Sequence, residues 1–329
     1  MMLTEKNYYY INKSFRRKVI YRIGLNAGFF SEYNNMILTM VWCLRNNYQF
    51  QLFSSNANFG FNKGWTDFFL PFCTEVFNEF HLKYNRRPYP YGSNEYYPLF
   101  VRGLMRFGIL KANFDYNPIS HHLRRTLGIG RLLTQDVFVK AHEQNPYEDV
   151  EIPNLGFYGN FRCLCKILTD LTWRFNEKIQ REIDNMIQEL DLPAKYIGFH
   201  IRRGDKFIES QHVPVSLFIN KAETMSNIRT AFVSTDDYSV IHELKASYTT
   251  WHFYTLCQLH ERGYYQSDFN QLSNLEKKDN HIRLFSSMVV LEHASHFIGT
   301  FSSNMGMFLG MRMLPENCHG IDFDEWRIW

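Results

Sequence analysis

The chain has 329 residues, 45% of them hydrophobic and 17% aromatic, with a formal net charge of +3. That length allows two domains of ordinary size or one large one, with ample apolar side chains for packed cores. The small positive charge argues against a dedicated nucleic-acid binder and suits anionic small molecules or weak contact with an anionic membrane face.

The first residues lack the apolar stretch of a signal peptide. The longest apolar run, Met36 to Leu44, is too short to span a bilayer and contains Thr39. The six cysteines (Cys43, Cys73, Cys163, Cys165, Cys257 and Cys318) are scattered and form no Cys-x-x-Cys pair. Together these features point to a cytoplasmic chain with free thiols and no zinc site. Without an export signal, the sequon at Asn12 counts as accidental. Lys13, Arg16, Arg17 and Lys18 are either a solvated basic tail or a peripheral contact with the inner face of a membrane.

In chain order, Val19–Ile23 predicts a first strand, followed by the loop Gly24-Leu25-Asn26-Ala27-Gly28. Ser31 is placed to cap a helix running to about Asn46, with Glu32 in its first turn. Tyr48–Phe53 then predicts a second strand and completes a βαβ element. The loop ending at Gly28 is either an anion site at a helix N-terminus or a plain tight turn. Residues 55–144 look irregular. Gly64–Pro71 and Arg86–Gly92 read as aromatic loops, whose rings either stack on a sugar or pack in the core. From Phe161 to Leu190 one amphipathic helix is expected, ended by Pro193. Glu177, Arg181, Asp184 and Gln188 form its polar face, and Phe175, Ile179, Ile183, Met186 and Leu190 are available for burial.

A second domain is expected from residue 193, dividing the chain into 1–192 and 193–329. Here strands and helices alternate. Strands are predicted at Tyr196–Ile201, Ala231–Ser234, Trp251–Tyr254 and Phe297–Thr300. Helices are predicted at Val215–Thr224, Tyr238–Ala246 and Ile282–Ala294, and Phe301-Ser302-Ser303-Asn304 opens a last one through about Met313. The fold class is therefore α/β with a parallel, doubly wound sheet. Three polar clusters fall at strand ends, where such sheets bind ligands: His200–Lys206, Thr235–Asp237 and Thr300–Asn304.

Arg202 and Arg203 are candidates to grip a diphosphate, because a guanidinium matches phosphate oxygens in pairs and keeps its charge. If the strand ran through both, they would face opposite sides. One would then reach the ligand and the other would brace the loop, with Asp205 as a partner. A surface ion-pair cluster is the plainer alternative. Lys206 adds charge to the same loop. His200 is either a nucleoside contact or a structural histidine. Ser302 and Ser303 can cap the last helix while offering groups to a phosphate, with Thr300 and Asn304 beside them. Asp236 and Asp237 either contact ribose or form a turn.

The runs His200-Ile-Arg-Arg-Gly-Asp-Lys206, Phe232-Val-Ser-Thr-Asp-Asp237 and Phe297-Ile-Gly-Thr-Phe-Ser-Ser-Asn304 are similar in order and content to the three motifs of the α-1,6-fucosyltransferase family. Gly64–Phe72 also resembles that family's tryptophan-phenylalanine-proline stretch. The wider superfamily, with its α-1,2 and protein O-fucosyltransferase branches, shares the His-x-Arg-Arg core. The resemblance implies a GT-B arrangement, with two Rossmann-like α/β domains facing across a cleft. It also implies metal-independent transfer of fucose from GDP-fucose to a glycan, polysaccharide or lipopolysaccharide acceptor, with inversion. Carried over by position, Arg202 and Arg203 would hold the diphosphate, with Arg203 the first candidate to stabilise the leaving charge, aided by Arg202 and the last helix N-terminus. His200 would hold the nucleoside, and Ser302 or Ser303 a phosphate oxygen. Two positions depart from the family. Ser287 stands where the family has a guanine-reading aspartate, with Glu292 the nearest acid. Glu209 is displaced by one position from the proposed base glutamate, leaving Glu209 and then Asp205 as candidate bases. The alternatives are a GT-B enzyme using another sugar nucleotide, or a non-catalytic glycan- or nucleotide-binding module.

Overall fold

The computed structural model describes residues 5–25, 27–87, 107, 131–204 and 212–328. The first part of the chain forms α1 (Glu5–Ser14), β1 (Arg17–Arg22), α2 (Phe29–Arg45) and β2 (Tyr48–Phe53). β1 and β2 pair in parallel, with Arg17 opposite Tyr48 and Arg22 opposite Phe53, so the expected βαβ unit forms. β3 (Thr74–Glu75) and β4 (Arg131–Leu133) complete a four-stranded sheet of order β3-β2-β1-β4. α2 begins earlier than its serine suggests. Gly28, in extended backbone, is the cap residue, and Ser31 lies inside the helix. Asn12 is buried, and its side chain exchanges hydrogen bonds with both the N–H and the carbonyl of Phe50. That role is incompatible with glycosylation.

The stretch read as irregular is more ordered than its composition implies. Besides β3 and β4 it contains α3 (Phe80–Tyr84) and α4 (Thr134–His142). Trp65, Phe68, Phe69 and Phe72 are buried, so they build core rather than a sugar platform. Trp65 stacks on Phe69 with ring centroids 4.5 Å apart. The Asp67 carboxylate shapes the turn before them by accepting the N–H groups of Phe61, Asn62, Lys63 and Gly64 at 2.8–3.0 Å. Of the Arg86–Gly92 loop, residues from 88 onward lie outside the described residues.

A hairpin, β5 (Asp149–Ile152) and β6 (Phe157–Asn160), leads into α5 (Phe161–Thr172) and α6 (Glu177–Gln188). One helix was expected here and two form. Asn176 ends the continuity because its side chain accepts the N–H of Ile179 and caps α6, which requires extended backbone at that residue.

The remainder is a five-stranded, wholly parallel sheet of order β11-β10-β7-β8-β9. Its elements are β7 (Ile197–Ile201), α7 (Val215–Met225), β8 (Thr230–Thr235), α8 (Ser239–Ser247), β9 (His252–Tyr254), α9 (Gln266–Gln271), α10 (Asn274–Glu292), β10 (His296–Gly299), α11 (Asn304–Arg312) and β11 (Cys318–Gly320). α10 starts at Asn274 rather than Ile282, because Ser273 and Glu276 form a reciprocal capping box. α10 packs on α6, while α11 packs on α5 and α2. One apolar core therefore runs through both sheets' helices and includes Phe29, Trp173, Phe285 and Phe308. Among the described residues, no helix is long and apolar enough to cross a membrane.

Candidate active site

The strand order brings the three polar clusters together. β10, β7 and β8 are consecutive neighbours, so their carboxyl ends open side by side. A cavity of about 520 Å³ lies there. His200 and Arg202 line it from β7, Ser234, Thr235 and Asp236 from β8, and Asn304 and Met305 from the start of α11. The facing wall is Ala27, Gly28 and Phe29, at the start of α2. The two halves thus share one crevice, and the Asn34 side-chain amide ties them by donating to the Asn304 carbonyl at 2.9 Å.

The two arginines are placed differently. β7 ends at Ile201, so no pleat dictates their directions. Arg202 lines the cavity, its guanidinium carbon 5.8 Å from the centre of the Tyr264 ring. Arg203 is not part of the cavity wall, and its guanidinium donates to the Val213 carbonyl at 3.1 Å. Its backbone N–H donates to Asp236 at 2.7 Å. The other Asp236 oxygen accepts the N–H of Tyr264 at 3.1 Å. Burial raises the Asp236 pKa, and these N–H groups together with Arg202 offset that rise only in part. Asp236 is therefore a clasp that stitches the β7, β8 and Tyr264 segments together. The join is tight at Gly204, whose φ is +28°; a Cβ there would lie 2.5 Å from the backbone N and O of Tyr264. Asp205, Lys206 and Glu209 lie outside the described residues.

The other candidates have local tasks. Asp237 accepts the N–H of Ser239 at the start of α8. The Ser303 hydroxyl donates to the Thr300 carbonyl and accepts the N–H of Gly306, capping α11. The N–H groups of Phe301 and Ser302 donate to the Asp322 carboxylate at 2.7 and 2.9 Å. Thr300, Ser302 and Ser303 thus shape the turn behind the cavity wall, and Asn304 carries the helix N-terminus into it. The Gly28 loop is occupied from within. The buried Glu32 carboxylate accepts the N–H groups of Gly24 and Ala27 at 3.3 and 3.4 Å and pairs with Arg87 at 3.0 Å. An internal carboxylate already satisfies the loop read as an anion site, although Gly28 still forms cavity wall.

Sequence reading missed the wall formed by the segment after β9 and by α10. Tyr264, Phe269 and Cys257 come from that segment, and Asn280, His281 and Arg283 from α10, beside Ser287, which the sequence had marked. Glu292, the acid nearest Ser287, is instead paired with Arg312 at 2.5 Å. His281 sits among Phe29, Phe68, Phe269 and Phe285. Its Nδ1 contacts the Lys277 carbonyl at 2.8 Å, and burial lowers its pKa to about 4. Among the described residues, no three His, Cys, Asp or Glu side chains converge as a metal set would.

No family model and no curated protein matches the sequence. Solved structures do match. NodZ α-1,6-fucosyltransferase co-crystallized with GDP aligns with a TM-score of 0.51 and 12% identity, over 91% of this chain and 93% of that one. The same enzyme soaked with GDP-fucose gives 0.50 and 13%, over 90% and 92%. A FUT1 variant of Arabidopsis thaliana in complex with GDP gives 0.50 and 8%, over 93% of this chain and 73% of that one. At these identities the likeness carries the fold alone. The chain therefore has the fold of these fucosyltransferase structures: two α/β units facing across a crevice, as the motif resemblance implied.

Proposed function

We propose that the chain is a glycosyltransferase that moves fucose from GDP-fucose to a glycan, polysaccharide or lipopolysaccharide hydroxyl, with inversion and without a metal ion. The observation that carries this reading is the convergence of Arg202 and the N-terminus of α11 on one crevice at neighbouring strand ends. Both favour negative charge there. Glycosyl transfer passes through an oxocarbenium-like state while the leaving diphosphate gains charge. Arg202 would stabilise that charge directly. Arg203 would act through the loop it braces. Residues 193–329 would hold the donor and residues 1–192 would present the acceptor. Glu209, then Asp205, remain the candidate bases. Asp236 is unsuited to that task, because each of its oxygens already accepts a backbone N–H.

A different sugar nucleotide is the second reading, favoured by Ser287, whose hydroxyl donates to the Arg283 carbonyl rather than offering a carboxylate to a base. The test is incubation of the full chain with GDP-fucose, and separately with UDP- and ADP-sugars, on a glycan array followed by linkage analysis. Fucosylation from GDP-fucose, lowered about 100-fold or more by Arg202→Ala, is the expected result. Transfer from another nucleotide only, or full activity in the variant, would overturn the proposal.

A further inference from the structure

Among the described residues, three carboxylates line the crevice: Asp236, Glu261 and Asp268. Asp236 is committed to two backbone N–H groups, as described above. Asp268 is exposed and takes the neighbouring Ser267 hydroxyl at 3.0 Å. Glu261 differs from both. It follows β9, and Arg283 of α10 pairs with it in the crevice wall at 2.9 Å. The same guanidinium nitrogen donates to the Asn280 side-chain oxygen at 2.5 Å. The other Glu261 oxygen accepts the N–H of Gln258 at 2.8 Å. The Cys257 thiol, a weak donor, also leans on this carboxylate.

Arg283 therefore does two things at once. It offsets the Glu261 charge, and it fixes which way the Asn280 amide is turned, because the oxygen must face the guanidinium. The Asn280 amide nitrogen then stands as a hydrogen-bond donor next to a carboxylate acceptor, both in the crevice wall. A carboxylate has about four lone-pair positions, and Arg283 and Gln258 use one on each oxygen. One position per oxygen is left, filled in part by a thiol that an N–H donor can displace.

We propose that Glu261 and Asn280, locked together through Arg283, read the edge of a guanine base. Glu261 accepts its two parallel donors, the ring N–H and the 2-amino group, and Asn280 donates to its carbonyl oxygen. Adenine and uracil each offer one donor beside an acceptor, so they make one bond fewer. Uracil also turns its second carbonyl toward the carboxylate. This inference rests on the nucleotide-sugar reading above and supplies the base-reading acid that Ser287 does not.

Calorimetric titration of the full chain with GDP, inosine diphosphate and ADP tests it. Inosine diphosphate differs from GDP only by lacking the 2-amino group. The wild-type chain should bind GDP roughly 10-fold or more tighter than inosine diphosphate, since a hydrogen bond to a charged partner would be lost. Glu261→Gln should weaken GDP while bringing that ratio to within about twofold, because an amide accepts through one oxygen only. Equal wild-type affinity for GDP and inosine diphosphate overturns the proposal without any variant. So does a Glu261→Gln chain that loses affinity for both nucleotides in equal measure. If the wild-type chain bound no nucleoside diphosphate, the transferase reading itself would fall.

Discussion

Arg202 and Arg203 are adjacent in sequence and occupy different environments, one in the crevice wall and one on the Val213 carbonyl. Arg202→Ala should therefore abolish most transfer with little change in melting temperature. Arg203→Ala should lower the melting temperature and reduce turnover less. Parallel thermal melts and initial rates would separate the two. His281 makes a second residue-scale prediction. Its pKa falls from 6.5 to about 4 on folding, so below pH 6.5 the unfolded chain takes up a proton that the folded chain refuses. Stability should be intact above pH 6.5, fall as pH drops toward 4, and show no further dependence on this group below that. The loss is on the order of 3 kcal/mol if no other group compensates. Denaturant midpoints at pH 7.5 and pH 5 should differ by less in His281→Phe than in wild type. The charged run after β7 was legible because like charges at a strand end are conspicuous. The acids that satisfy the surrounding N–H groups were not. Asp236 serves Arg203 from 33 residues away and Asp322 serves Phe301 from 21, and no local pattern marks such a pairing.

At the scale of elements, alternation of apolar strands and amphipathic helices was legible in the second half, because the central strands β7, β8 and β10 are short and mostly buried. The capping box at Ser273 and the cap at Asn176 moved helix boundaries that periodicity alone had placed elsewhere. β3, β4 and β11 are two or three residues long, too short for a period to show. The aromatic stretch after Gly64 was ambiguous between platform and core until Asp67 was seen to fold the turn and bury the rings. Asp67→Ala would leave several backbone N–H groups without their acceptor and should cost about 3 kcal/mol or more, read by chemical unfolding. Gly204→Ala should act locally. Its Cβ would press on the Tyr264 backbone and loosen the clasp, so donor affinity should fall more than global stability.

At the scale of the whole molecule, the crevice exists because two parallel sheets share one core through α2, α5, α10 and α11. A nucleotide bound there touches both halves and stabilises them together. At about 100 times its dissociation constant, a ligand that binds only the folded state adds about 2.7 kcal/mol, visible as a rise in melting temperature. The central claim is that Arg202 and the start of α11 form a diphosphate site between the halves. Its most direct test is calorimetric titration of GDP into the wild-type chain and Arg202→Ala in the presence of a chelator. The account predicts binding that the variant weakens roughly 10- to 100-fold. Absence of binding to the wild-type chain, or equal affinity in the two proteins, would contradict it.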